Sequence, residues 1–138
     1  MSTSNKILKF IDLYAGIGGI RLPFEELGHK CVFTSEMDKY AKITYDAFFG
    51  DLPYGDITKL DYQNIPNFDM LLAGFPCQPF SKAGSQSGFN HKIAGDMFDK
   101  LCSFLEHHQP RFFFLENVPN LLTHDKGFTW LYMKSKLE

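Results

Sequence analysis

The sequence is poor in cysteine and lacks long apolar runs. Its three cysteines, Cys31, Cys77 and Cys102, form an odd and sparse set, which favours free thiols in a reducing cytoplasm over a disulfide framework. No Cys-x-x-Cys or cysteine–histidine spacing typical of a metal site occurs, so no metal is predicted. No stretch approaches the roughly 18 consecutive apolar residues of a membrane helix, and the polar residues 1–6 are unlike a secretory signal.

The sequence also lacks an excess of charge. Its 14 lysines and arginines oppose 16 aspartates and glutamates, which leaves a formal net charge of −2. A chain of this kind has no global positive field, so charge alone does not predict a nucleic-acid partner. A local basic face stays open, because net charge says nothing about distribution.

Apolar bulk, in contrast, is plentiful. Hydrophobic residues make up 44% of the 138 residues, with 15 phenylalanines, which is enough for a packed core and excludes a disordered chain. Short apolar runs alternate with helical spacings, so we predict one α/β domain with a mostly parallel sheet. The predicted strands are residues 9–13, 31–35, 54–57, 68–73 and 112–118, and the predicted helices are residues 20–27, 38–49, 96–108 and 128–137.

A first constellation joins Asp12, the glycines at positions 16, 18 and 19, and Glu36. Glycines let a backbone turn approach a ligand, and an acidic residue after the second strand can bind ribose hydroxyls. The spacing departs from G-x-G-x-x-G, which disfavours a dinucleotide but permits a nucleoside cofactor such as S-adenosylmethionine. Asp56 could bind an adenine amino group at a third strand end. The alternatives are a purely structural turn with an exposed Glu36, and an Asp56 that caps its own backbone.

A second constellation is the run Gly-Phe-Pro-Cys-Gln-Pro-Phe-Ser at residues 74–81. It places Cys77 on a stiff turn past a strand's carboxyl end, where open α/β sheets bind ligands. A thiol there can be ionised and act as a nucleophile. The alternative is a small buried hydrophobe, the interpretation we give Cys31 and Cys102. The glycine-containing residues 81–95 that follow are predicted to be a mobile functional loop.

A third constellation is Glu116-Asn117-Val118, at the end of the most apolar predicted strand. An acid that follows such a run is expected to be buried, and burial raises the pKa of a carboxyl towards values useful in general acid catalysis. The alternative is a glutamate that caps the next turn.

Together these segments resemble a known family. Residues 10–19 (FIDLYAGIGG), 74–81 (GFPCQPFS) and 116–118 (ENV) occur in the order of the opening motifs of the DNA (cytosine-5) methyltransferases. The resemblance runs from about residue 9 to residue 122. It implies an incomplete Rossmann-like fold of the S-adenosylmethionine-dependent methyltransferases, with residues 1–138 as the amino-terminal portion of the catalytic domain.

The family's residue roles imply a division of labour in this chain. Cys77 would be the nucleophile, and Glu116 the acid that contacts the target cytosine. Glu36 would bind the ribose of S-adenosylmethionine, which leaves as S-adenosylhomocysteine. The other implied cofactor residues are Asp12, Tyr14, Gly16, Gly18, Gly19, Met37, Asp56 and Ile57, and the implied substrate residues are Pro76, Gln78, Ser81, Asn117 and Val118.

The resemblance also implies partners and limits. The substrate would be double-stranded DNA with a cytosine flipped out of the helix, in a bacterial, nucleoid-associated cytoplasmic enzyme of the restriction–modification kind. Tyr14 stands where the family usually has Phe, and Ala94-Gly95 where Arg-Gly is common. The family's later motifs and target-recognition domain do not follow, so we expect the isolated chain to be inactive and to self-associate through exposed apolar surface. The alternative is a cofactor- or partner-binding subunit that a second chain completes. The missing G-x-G-x-x-G disfavours an NAD-type oxidoreductase, which would also leave Cys77 unexplained, and the absence of Cys-x-x-Cys disfavours a thiol-redox protein.

Overall fold

Four strands form one sheet in the computed structural model of the protein. They are β1 (Lys9–Leu13), β2 (Lys30–Ser35), β3 (Met70–Gly74) and β4 (Phe112–Glu116), in the spatial order β2-β1-β3-β4. β1 pairs in parallel with both β2 and β3, as predicted from the alternation of strands and helices.

The structure describes residues 6–76 and 88–138, with side chains from residue 97 onward in the second range. The chain divides into two compact units. One consists of Met1–Gly74 and Pro110–Leu115, and the other of Phe75–Gln109 and Glu116–Glu138.

The first unit has its core on the two central strands. Phe10 and Ile11 of β1 and Leu71 and Leu72 of β3 are completely buried, as expected of strands covered on both faces of a parallel sheet. Because each such side chain stabilises the fold by roughly 1.5–3 kcal/mol, these strands hold the ends of the sheet in a fixed place.

Two helices accompany this sheet, α1 (Arg21–Glu26) and α2 (Lys39–Phe49). α2 begins at an Asp38 cap, whose carboxylate accepts hydrogen bonds from the backbone N–H groups of Tyr40 (3.0 Å) and Ala41 (2.8 Å). It ends at Gly50, whose φ of 61° is the left-handed conformation common after helices. The sequence predicted both ends of α2.

The predicted strand at residues 54–57 is wrong. Only a single bridge forms there, between Ser35 and Tyr54, and Ile57–Lys59 is a short 3-10 helix. The cause is local: the Asp56 carboxylate accepts a hydrogen bond from the Thr58 N–H at 2.9 Å, which turns the backbone out of the extended conformation.

The second unit contains α3 (Gly88–His108) and α4 (Phe128–Leu137). Of the loop predicted over residues 81–95, residues 81–87 lie outside the described part, and residues 88–95 are helical, so the prediction is wrong there. A glycine inside a helix costs only about 1 kcal/mol. Burial of Phe98, Leu101 and Phe104 further along the same helix outweighs that cost.

β4, the most apolar of the predicted strands, is partly exposed. Phe112, Phe113 and Phe114 are 46–47% exposed, and β4 is an outer strand of the sheet that the described residues form. Phe114 still contacts Phe24, with ring centroids 6.0 Å apart. In the part of the chain that the structure describes, no helix combines the length and apolarity needed to span a membrane.

Candidate functional site

The turn after β1 has a strained backbone. Tyr14, Gly16 and Gly18 have φ angles of 54°, 56° and 92°, and a left-handed residue other than glycine costs roughly 1–2 kcal/mol. The turn is closed by a hydrogen bond from the Gly18 N–H to the Ala15 carbonyl at 2.9 Å, and Ala15 donates to the Ser35 carbonyl at 3.0 Å. The carboxyl ends of β1 and β2 thereby hold the glycine turn between them.

Glu36 meets this turn, as the first constellation predicted. One carboxylate oxygen accepts the Gly16 N–H at 2.8 Å, and the other accepts the Asp38 N–H at 2.7 Å. This contact joins Glu36 to the glycine turn, which both a cofactor site and a purely structural turn allow. Met37, directly after it, is 64% exposed. The carboxylate is fixed in orientation and keeps lone pairs for a further donor.

The glycines of the turn face different surroundings. A Cβ built at Gly16 or Gly19 would meet nothing within 4 Å, whereas one at Gly18 would overlap the ring of Phe49 and approach Tyr45 Cε2 to 3.1 Å. Gly18 therefore packs inward against α2. Gly16 and Gly19 leave the open side on which a ligand can approach the backbone.

Residues 54–56 lie against the end of β2. Tyr54 donates to the Thr34 carbonyl and accepts from the Glu36 N–H, both at 2.9 Å. The Asp56 carboxylate caps the following turn and also accepts a hydrogen bond from the Thr58 hydroxyl at 2.8 Å. This matches the alternative in which Asp56 caps its own backbone. The structure thus brings Asp56 to the same end of the sheet as Glu36.

Tyr14 and Asp56 interact electrostatically. Burial and, secondly, the negative charge of Asp56 raise the pKa of the Tyr14 hydroxyl well above its usual value, so this group stays protonated. Ile57, the other residue implied at the adenine edge, has a buried side chain. The residues implied for the cofactor, Asp12 excepted, therefore gather around the ends of β1 and β2.

Asp12 is more deeply placed than its neighbours. Its side chain is buried in β1, one oxygen accepts the Tyr45 hydroxyl at 3.0 Å, and no described residue bonds the other oxygen. Burial raises the pKa of this carboxyl to about 7, the Tyr45 hydrogen bond and the Arg21 charge lower it in part, and the Glu36 charge raises it.

This pKa predicts how the Asp12→Asn variant depends on pH. The carboxyl titrates near 7 when folded and at about 3.9 when unfolded, so ionisation destabilises the folded wild-type protein as the pH rises between these values. The free energy of unfolding of Asp12→Asn, relative to that of the wild type, should therefore increase by on the order of 2 kcal/mol between about pH 5 and about pH 8. Urea denaturation at a series of pH values measures it. Asp46→Asn, on the exposed side of α2, is the matched control, and a difference independent of pH would contradict the prediction.

Sequence reasoning missed the partners of Asp12. Tyr45 and Arg21 are both buried, and Arg21 Nη1 donates to the Tyr45 hydroxyl at 3.2 Å. The one available signal was the aromatic pair Tyr45 and Phe49, four residues apart on α2. It indicates an inward helix face and does not indicate a polar contact.

In the second unit, the side chain of Asn117 joins two of the predicted constellations. Its Nδ2 donates to the carbonyl oxygen of Phe75 at 3.1 Å, and its Oδ1 accepts the Val118 N–H at 2.8 Å. Phe75 is buried, with its ring centroid 5.8 Å from that of Phe98. Asn117 therefore fixes the backbone one residue before the half-buried Pro76; Cys77, Gln78 and Ser81 lie outside the described residues.

Glu116 is exposed, so its predicted burial is wrong. It lies at the end of β4, an outer strand of the sheet that the described residues form, where the preceding phenylalanines are also half-exposed.

The other two cysteines fit their predicted structural role. Both thiols are half-buried, and burial raises the pKa of Cys31 to about 12 and that of Cys102 above its usual value. Neither is therefore an ionised nucleophile near neutral pH. Among residues 6–76 and 88–138, no three potential ligands are grouped to hold a metal ion.

A parallel sheet in the order β2-β1-β3-β4, with a glycine turn and an acidic residue joined at its carboxyl end, defines an incomplete Rossmann-like α/β fold of the methyltransferase kind. The model of the C-5 cytosine-specific DNA methylase family matches residues 8–138. The chain belongs to that family.

Named relatives agree with this assignment. The chain is 55% identical over 135 residues to the type II methyltransferase M.DsaV of Dactylococcopsis salina, and 54% identical over 131 residues to M.BsuFI of Bacillus subtilis. These alignments cover 96% and 95% of this chain but 38% and 32% of the relatives. The chain thus spans about a third of the length of the relatives it matches.

Solved structures share the fold at lower identity. A structure described as a DNA modification methyltransferase of an E. coli prophage superposes with a TM-score of 0.73 at 23% identity, covering 94% of this chain and 37% of that one. The S. pombe Dnmt2 methyltransferase gives 0.68 at 20% identity, covering 91% and 41%.

Proposed function

We propose that this chain is the amino-terminal catalytic part of a type II enzyme that methylates carbon-5 of cytosine in DNA. The observation that carries the proposal is the contact of Glu36 with Gly16 at the end of β1. It places a fixed carboxylate and an open backbone turn together, as a nucleoside cofactor requires. Family membership and the type II relatives supply the reaction.

The described residues fit S-adenosylmethionine. Glu36 keeps lone pairs for ribose hydroxyls, and the open space over Gly16 and Gly19 leaves room for the methionine part. Asp56, held at the same sheet end, would accept from the adenine amino group, with Met37 and Ile57 beside it. Bound there, the cofactor supplies a sulfonium-activated methyl group to carbon-5.

The chain's own residues would activate the cytosine. The Cys77 thiolate adds to carbon-6 of the ring, and the electron pair displaced makes carbon-5 nucleophilic. Glu116 stabilises protonation at ring nitrogen-3, which draws electrons in the same direction. After carbon-5 has been methylated, its proton would pass to solvent water. The electron pair of that C–H bond would re-form the bond between carbon-5 and carbon-6, and Cys77 would leave carbon-6 as a thiolate, which restores the aromatic ring.

Glu116 would stabilise the protonated ring nitrogen-3 from an exposed position. Asn117 would hold the backbone that precedes Cys77. The exposed state suits an acid that meets its partner only when the base arrives. Pro76, Gln78, Ser81 and Val118 would line the path of the flipped cytosine, which must leave the duplex to be reached. Double-stranded DNA is therefore the proposed substrate.

The chain matches about a third of the length of its relatives, which supports a separation of catalysis and sequence recognition between different parts of the enzyme. The cofactor and nucleophile residues belong to this chain, and sequence recognition belongs to the part of the relatives that it does not match. In the alternative, this chain is a cofactor-binding subunit and a second chain completes the enzyme. The reaction would be the same, but two genes would encode the enzyme.

Replacing Glu36 with glutamine tests the cofactor site. The amide keeps the size of the side chain but replaces one acceptor oxygen by a donor, so the Gly16 or the Asp38 N–H loses its partner. We expect the affinity for S-adenosylhomocysteine to fall by about tenfold, equivalent to about 1.4 kcal/mol. Isothermal titration calorimetry on the 138-residue chain measures it.

The matched control is Glu26→Gln, on an exposed position of α1. It removes the same charge from the same unit and should leave the affinity unchanged. Equal affinities for wild type and Glu36→Gln would remove Glu36 from the cofactor site.

A further inference from the structure

A buried chain of polar contacts runs behind the glycine turn, and two of its three residues, Arg21 and Tyr45, have no role assigned above. It leads from Arg21 through the Tyr45 hydroxyl to Asp12, with donor–acceptor distances of 3.2 and 3.0 Å. All three side chains are less than one-tenth exposed. They connect α1, α2 and β1, the elements that surround the turn.

Arg21 is the anchored end of this chain of contacts. Its Nε and Nη2 lie 2.9 and 2.8 Å from Glu25 Oε1, and its Nη1 lies 2.8 Å from Asp51 Oδ2. The guanidinium also stacks over the Phe49 ring, 4.3 Å from its centroid. A planar donor fork held at several points has little freedom, so it fixes the hydroxyl of Tyr45 in one orientation.

Tyr45 contacts both β1, before the glycine turn, and the turn itself. Its hydroxyl donates a hydrogen bond to the buried Asp12 carboxylate, two residues before Tyr14. Its ring packs on Phe49 at 4.7 Å between centroids, and both rings close the space beside Gly18. One side chain therefore contacts the residues on each side of the strained turn.

We propose that Tyr45, oriented by Arg21, is a positioning residue of the cofactor site. It sets the glycine turn in the conformation in which the Gly16 N–H reaches Glu36, before any cofactor is bound. The identity of the cofactor rests on the proposed function, whereas the effect of Tyr45 on the turn does not.

Tyr45→Phe is the decisive variant, because it keeps the ring against Gly18 and removes only the hydroxyl. Tyr40→Phe, a 68% exposed position on the same helix, is the matched control. Amide resonances of Gly16 and Gly18 in ¹⁵N-labelled protein report the turn directly. We expect both to shift in Tyr45→Phe and to remain in place in Tyr40→Phe, and the affinity for S-adenosylhomocysteine to fall by about fivefold to tenfold only in Tyr45→Phe.

A pH titration separates positioning from simple stabilisation. The groups that interact with Asp12 are Tyr45 of α2, Arg21 of α1, Cys31 of β2 and Glu36 beyond it. The amide resonances of the turn should change with pH as the Asp12 carboxyl ionises. Loss of the Tyr45 hydrogen bond should raise the pH at the midpoint of that change. A variant that is less stable but keeps the wild-type resonances and midpoint would overturn the proposal.

The remaining outcomes are also decisive. If the wild-type chain does not bind S-adenosylhomocysteine, the proposed cofactor fails, and the Gly16 and Gly18 resonances still decide the role of Tyr45. If Tyr45→Phe does not fold, Arg21→Lys keeps the charge and removes the fork. The same two resonances should shift in it, and unchanged resonances would refute the positioning role.

Discussion

Replacing Cys77 with serine is expected to abolish methyl transfer, by at least about a thousandfold, or roughly 4 kcal/mol of transition-state stabilisation. A serine hydroxyl is far less acidic than a thiol and does not supply the anion that adds to carbon-6. The affinity for S-adenosylhomocysteine should change by less than about twofold, because the cofactor residues belong to other segments. The assays are a covalent-complex gel with DNA that contains 5-fluorocytosine and calorimetry on the chain.

For the gel, the chain is combined with the carboxyl-terminal part of M.DsaV, because it matches only 38% of the length of that relative. Fluorine at carbon-5 cannot leave as the proton does, so the protein–DNA bond persists in the wild type and is absent from Cys77→Ser. Cys102→Ser is the control, since its half-buried thiol has a raised pKa and should leave the complex intact. Equal loss of DNA linkage and cofactor affinity in Cys77→Ser would contradict the assignment.

Gly18→Ala should have the largest effect on stability. A side chain there combines a φ of 92° with overlap of the Phe49 ring, and these two effects cost roughly 1–2 and 1–3 kcal/mol. We expect the free energy of unfolding to fall by about 2–5 kcal/mol in urea denaturation followed by circular dichroism.

Gly19→Ala is the matched control for this loss. Its Cβ meets nothing within 4 Å, so its stability should stay within about 0.5 kcal/mol of the wild type. If both variants are equally stable, Gly18 does not pack against α2 as described.

The elements set by local chemistry were predictable from the sequence. Asp38 and Gly50 mark both ends of α2, and the apolar run at residues 9–13 coincides with β1. Prediction failed where a side chain competes with strand pairing for the backbone. Residues 54–57 have the pattern of a strand, but the Asp56 carboxylate accepts the Thr58 N–H and favours a 3-10 helix. The helical residues 88–95 show the opposite case, in which packing elsewhere in α3 outweighs a local preference.

The candidate site divides in the same manner. Its glycines and Glu36 could be predicted, because a short spacing along neighbouring strands brings them to one end of the sheet. Arg21 and Tyr45 could not, because they meet across 24 residues through atoms that no spacing rule identifies. Burial of Glu116 was inferred from the apolar residues before it, whereas it lies exposed at the end of β4, an outer strand of the sheet that the described residues form.

The most direct test of the central claim is transfer of a tritiated methyl group from S-adenosylmethionine to DNA. It is measured with the 138-residue chain alone and with the chain supplemented by the carboxyl-terminal part of M.DsaV. We expect label in DNA only in the supplemented reaction. No label in either reaction, together with tight binding of NAD by the chain, would contradict it.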